Sequence, residues 1–257
     1  MNDTKPLRAI MGCLIVLGAV GIASQAAAQS YFGEAFVCEW AKGQGMEDLM
    51  KARDYYVRQA EKAGITLPPA YVWTPVKVSA GAPDLLWFNY YQSASEYGAF
   101  SDAMAASEDM ASVGPRFEEV GTCTSGLFTQ QEVFNGGRPP VTTPPAYIVS
   151  SACNFRSGAF DADALADLTA HLSEVLGSSG NYEDYVLFQR RSVTRGADAP
   201  HLRFFSVHDS AAAWGARQDA FATMEGSAML QRHFTSVLDC TQSHWISQQV
   251  VEGAPIN

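Results

Sequence analysis

Apolar positions along this chain switch between the two-residue period of strands and the 3.6-residue period of helices, in an order that occurs twice. Ala35 to Trp40 is a short apolar run that reads as a strand. Leu49, Ala52, Tyr56, Ala60 and Ala63 recur at helical spacing, with Lys51, Arg53, Asp54 and Lys62 on the other face, which predicts a helix over Met46–Ala63. Gly64 ends it and Pro68-Pro69 prevents a restart. Tyr71 to Val78 and Leu85 to Tyr91 are strands joined by the turn residues Ala80-Gly81-Ala82-Pro83, so they form a hairpin. Ser93-Ala94-Ser95-Glu96 is a capping box opening a helical region that runs to about Val120, with a break expected at Gly114-Pro115. Cys123 to Phe134 closes the unit as a last strand.

The same series follows from Ser150. Ser150 to Phe155 is a strand, and Asp161 caps a helix with Leu165, Leu168, Leu172 and Val175 on one face. Tyr185–Val193 and Leu202–Val207 form the hairpin, Ser210 opens the second helical region, and Cys240–Val251 closes. Residue matches hold at constant offset through this half. Ser93-Ala94, Gly98, Asp102-Ala103 and Phe117 return as Ser210-Ala211, Gly215, Asp219-Ala220 and Phe234. The order β-α-β-β-α-β is the ferredoxin-like unit, an antiparallel sheet with helices on one face. Its bare face needs cover, and two copies can cover each other. The expected fold class is therefore α+β, with two tandem ferredoxin-like units, residues 31–134 and 146–252, pairing into one intrachain α/β barrel. Asn135 to Pro145, rich in glycine and proline, is the linker.

The start of the chain is a separate matter. Lys5 and Arg8, an apolar run from Ile10 to about Ala23, and Ala26-Ala27-Ala28 have the layout of a secretory leader over residues 1–28. Cleavage near Ala28 and a periplasmic or secreted destination are expected, with no membrane span in the remainder. Four cysteines remain beyond Cys13, two at equivalent places in each unit. Internal symmetry selects Cys38–Cys123 and Cys153–Cys240 from the three pairings open to them. In the expected strand order the first and last strands of a unit are neighbours, so each pair can meet. A net charge of −10 argues against nucleic acid as a partner. A monomer or weak homo-oligomer is expected.

The hairpin, the helix starts Ser93-Ala94…Tyr97-Gly98 and Ser210-Ala211…Trp214-Gly215, and the later Phe117 and Phe234 resemble those of the dimeric α/β-barrel proteins. Those include the antibiotic-biosynthesis-monooxygenase-like and stress-responsive barrel families. The resemblance implies two sheets paired into a barrel, here fused in tandem. Monooxygenase-like members often carry a histidine in the second helix, and Ala103–Ser107 and Ala220–Met224 have none. The superfamily includes oxygenases, isomerases, haem enzymes and binders, so fold alone does not choose.

Candidate chemistry is sparse. His171, His201, His208, His233 and His244 all lie in the second unit, where the first has Asp84, Tyr91, Arg116 and Leu127 at four of the positions. No pair shows the i, i+4 spacing of a metal site, and none is predicted. Trp87, Asn89 and Tyr91, with Phe204, Ser206 and His208, form polar-ended rows on the equivalent strands and are candidate pocket residues. His208 and Glu39 are candidate general bases, and Asn154, at the place of Glu39, joins the pocket set. The reading favoured is an exported binder of a small apolar or aromatic ligand, working without a cofactor. The alternatives are a cofactor-free monooxygenase or isomerase, and a haem protein with His233 or His208 as axial ligand.

Overall fold

The computed structural model describes residues 30–137, 145–178, 182, 185–194 and 199–253. The expected leader and residues 138–144 of the linker lie outside them. The first unit comprises β1 (Ser30–Trp40), α1 (Met46–Ala63), β2 (Ala70–Lys77), β3 (Leu85–Tyr91), α2 (Ala94–Ala106), α3 (Val113–Glu118) and β4 (Gly121–Asn135). The second comprises β5 (Ala146–Phe155), α4 (Ala162–Ser178), β6 (Val186–Ser192), β7 (Leu202–His208), α5 (Ala211–Thr223), α6 (Ser227–Val237) and β8 (Leu238–Val251).

The eight strands form a closed barrel in the order β1-β3-β2-β8-β5-β7-β6-β4, every pair antiparallel. Two seams, β2–β8 and β4–β6, join the units. Closure leaves no free sheet edge. Cys38 and Cys123 are direct partners across β1 and β4, and Cys153 and Cys240 across β5 and β8; both pairs are disulfide-bonded. No described helix is long and apolar enough to cross a membrane.

Three apolar clusters follow from strand parity. One lies between α1–α3 and the first half-sheet, with Leu49, Tyr56, Leu85 and Trp87. Its counterpart in the second unit contains Leu165, Leu168, Leu202 and Phe204. The third fills the barrel, with Trp73, Phe88, Tyr90, Phe128, Phe188 and Phe205.

Two boundaries differ from the sequence reading. β1 starts at Ser30 and β5 at Ala146, each several residues early, because barrel closure pairs the full length of β1 with β4. The helix break falls after Ala106, and Gly114-Pro115 lies inside α3. Pro115 sits in the first turn of α3, where a missing N–H breaks no helical hydrogen bond.

Candidate functional site

The rows named from the sequence face the helices. On β3, Leu85 and Trp87 pack under α1, while Phe88 and Tyr90 point into the barrel. On β7, Leu202 and Phe204 pack under α4 and α6, while Phe205 and Val207 point inward. Any pocket formed by Trp87, Asn89, Tyr91, Phe204, Ser206 and His208 is thus a gap between helix and sheet, not the barrel lumen.

Such a gap exists in the second unit. A cavity of about 260 Å³ lies between the sheet and α4–α6. Its apolar wall includes Leu172, Leu176, Phe204, Trp214, Phe221 and Phe234. Ser151, Tyr182, Tyr185, Ser206, Arg217, Gln218 and Gln242 supply polar atoms. Where the second unit has Leu172 on α4 and Phe204 on β7, the first has Tyr56 on α1 and Trp87 on β3, both in edge contact with Phe117. At the places of Ala52 and Ala60, however, the second unit has the larger Leu168 and Leu176, so bulk is redistributed along the helix face and not simply lost.

The polar groups of the cleft are differently committed. Tyr182 is 4% exposed and its hydroxyl has no hydrogen-bond partner among the described residues. The Arg217 guanidinium lies 5.3 Å from the centre of its ring. Burial raises the Tyr182 pKa and Arg217 pulls it back. Burial pushes Tyr185 up to about 12, with a hydrogen bond to Ser206 opposing the rise. Both phenols are therefore neutral donors at pH 7. Trp214 stacks edge-on against His244 at 4.8 Å, and His244 Nδ1 is 2.8 Å from the Tyr147 hydroxyl, which fixes one side of the cleft. The His244 pKa is lowered by burial and then by Lys77.

The remaining candidates are placed as follows. His208 is buried, with Nε2 2.9 Å from Ser206 Oγ, so it supports a cleft residue and does not line the cavity. Glu39 is exposed on β1 and is not a buried base, because its strand position turns it to solvent beyond the disulfide. Asn154 is exposed at the end of β5, its Oδ1 accepting from the His201 backbone N–H at 3.1 Å, and it is no part of the cleft. His233 on α6 meets His171 on α4, Nδ1 to Nδ1 at 3.1 Å.

Sequence reading missed Glu34. It lies directly across from Asn89 on β3 and faces α1. Burial raises its pKa, and a hydrogen bond from Asn89 opposes the rise. Asn89 Oδ1 accepts from Trp87 Nε1 at 2.7 Å, which leaves its amide to donate to the carboxylate. Arg217, Gln218 and Gln242 were also missed.

The closed barrel with all helices outside invites comparison with solved folds. Neither a family profile nor a curated protein matches the sequence. A proposed monooxygenase from Fusobacterium nucleatum superposes with a TM-score of 0.54 at 8% identity, covering 88% of this chain and 94% of its own. A proposed monooxygenase from Lactobacillus acidophilus gives 0.53 at 8% identity, covering 89% and 97%. An anthrone oxidase-like protein gives 0.51 at 12% identity, covering 87% and 94%. The fold is the dimeric α/β barrel. At these identities the likeness is one of fold, and the site residues have to be argued from this chain.

The fold's haem reading can be tested on the cleft. No histidine lines it among the described residues. His208 is engaged by Ser206 and His233 by His171. A cavity of about 260 Å³ also falls below the range of about 300–1,000 Å³ typical for drug-sized ligands, and haem is larger than those. The residues present do not fit a haem in this cleft.

Proposed function

We propose that this is an exported protein that binds a small planar aromatic molecule in the cleft of the second unit, the ligand bearing an oxygen acceptor. The observation that carries the reading is the Tyr182 hydroxyl, a buried donor with no partner among the described residues, on a residue that lines an aromatic cleft. An unsatisfied buried hydroxyl costs about 1–3 kcal/mol, which an acceptor on a ligand would recover. Arg217 beside it favours an acceptor with negative charge. The leader-like start of the sequence and the two disulfides support an oxidising destination.

The test uses the first unit as template. Leu172→Tyr with Phe204→Trp should fill the cleft, leaving the fold intact. Titration with 2-naphthoate, read by calorimetry, should show saturable binding to the wild type and a loss of at least tenfold in the double variant. Equal binding by both would remove the cleft from consideration.

A second reading is cofactor-free oxygenation or isomerisation, which needs a base. Glu34 favours it, being a largely buried carboxylate among Tyr91, Tyr97 and Asn89 with no cation in its surroundings. Its raised pKa has a definite sign. Below the ordinary carboxylate value the group is protonated in folded and unfolded chains alike and leaves stability unchanged. As pH rises towards the raised folded value, the unfolded chain ionises first and folding is penalised. Glu34→Gln should thus raise the melting temperature at pH 7 and leave it unchanged near pH 3. The same variant should abolish any oxygen uptake seen with anthrone as probe; uptake unchanged by it would remove Glu34 as the base.

A further inference from the structure

The centre of the barrel holds a cation. Arg190 on β6 is 6% exposed and is ringed by aromatic side chains, its guanidinium carbon 4.1 Å from the centre of Phe128, 4.2 Å from Phe88 and 4.8 Å from Phe205. Its hydrogen bonds go to neutral groups. Nη2 donates to the Tyr90 hydroxyl at 2.7 Å and to Gln130 Oε1 at 2.9 Å. No carboxylate is ion-paired with it among the described residues. Glu132, two positions beyond Gln130 on β4, is held by Asn135 Nδ2 at 2.9 Å.

A second cation stands directly opposite. Arg203 on β7 is the cross-strand partner of Arg190. It shares the inward face with Phe205 and Val207, since Leu202 and Phe204 take the helix face. Like charges in direct register destabilise a sheet unless something of opposite sign lies between them. Burial lowers the Arg190 pKa to about 10, and the nearness of Arg203 contributes to the fall. Arg203, too, has no ion pair among the described residues.

Among the described residues, this end of the barrel is lined by small or exposed side chains. Arg203 is exposed, its partner across β5 is Ala152, and Thr241 beyond that is exposed. On the far wall Val37 is 44% exposed and Thr124 is exposed. Two guanidiniums thus stand together without a described counter-charge, in a chain whose net charge is −10. Guanidinium forks match the geometry of carboxylate and phosphate oxygens.

We infer that this end of the barrel is an oxyanion site, with Arg203 at the mouth and Arg190 behind it. The ligand is a carboxylate or a phosphate, and the site is separate from the helix–sheet cleft. An anion there would neutralise the opposed pair and hold both forks.

The experiment is thermal unfolding of the full protein with inorganic phosphate or acetate, neither of which has the aromatic ring the cleft would take, ionic strength held constant with sodium chloride. At ten times its dissociation constant the bound anion should raise the midpoint by about 3–6 °C. A response to phosphate alone identifies a phosphoryl ligand, and one to acetate alone a carboxylate. Arg203→Gln should lose the response, while Arg217→Gln, in the cleft, should keep it. Arg203→Glu would set a carboxylate opposite Arg190, and should raise the midpoint in anion-free buffer while abolishing the response. No response to either anion in the wild type, or a response in Arg203→Gln equal to that of the wild type, would overturn the inference. So would a response lost in Arg217→Gln and kept in Arg203→Gln.

Discussion

Removing the Cys38–Cys123 bridge by a double change to alanine should lower stability by about 4–5 kcal/mol, because the bond closes a loop spanning 85 residues. The second bridge, Cys153–Cys240, spans 87 residues and should cost as much. Each links the first and last strands of its own unit, and those strands remain hydrogen-bonded along their length without it. The effect therefore falls mainly on the unfolded chain, whose ends become free to separate. Equilibrium denaturation should show the midpoint of each variant displaced with the native spectrum retained. The two losses should add, since the bridges share no strand. A reductant should reproduce the combined loss in the wild type and leave the four-alanine variant unchanged. Stability unaffected by either double change would mean that the unfolded chain is already held compact by other means.

Arg190→Ala should be the most damaging single change in the barrel, at about 3–5 kcal/mol, by analogy with large-to-small core substitutions. It empties space among Phe88, Phe128 and Phe205 and strands the Tyr90 hydroxyl and Gln130 Oε1, both of which Arg190 now satisfies. Arg190→Met separates the two contributions. It keeps most of the volume, removes a desolvated charge and still strands the polar partners, so it should cost roughly half as much. Adding Tyr90→Phe to Arg190→Met should then restore stability by about 1 kcal/mol, since the orphaned hydroxyl is gone. Chemical denaturation of the three variants decides this. If Arg190→Met equals or exceeds the wild type, the charge contributes nothing to the fold and its retention has to be explained by binding.

The fold was legible because duplication states each element twice. The strand–helix–hairpin order, the capping serines Ser93 and Ser210, and the equivalent cysteines all recur, and both caps accept the expected N–H, from Glu96 and Ala213. The first half of β1 was hidden because Gly33 and Glu34 interrupt its apolar pattern, and only pairing with β4 makes it a strand. The site was harder to see for a related reason. In a barrel wrapped by helices both faces of a strand are dry, so Leu86, Phe88 and Tyr90 look no different in sequence from Leu85, Trp87 and Tyr91. Polarity cannot then say which row faces the lumen. Volume does not find the cleft either. Setting the two units side by side puts Leu172 against Tyr56 and Phe204 against Trp87, a loss of bulk, but Leu168 against Ala52 and Leu176 against Ala60, a gain.

The two seams that close the barrel also free its halves from each other. In a barrel assembled from two identical chains, any change that hollows one helix–sheet gap hollows both, and the loss of packing is incurred twice. Here the halves are encoded separately. One carries a tyrosine and a tryptophan where the other carries a leucine and a phenylalanine, and each gap is lined by its own set. Joining the copies end to end thus lets the two gaps differ without a change in one being repeated in the other.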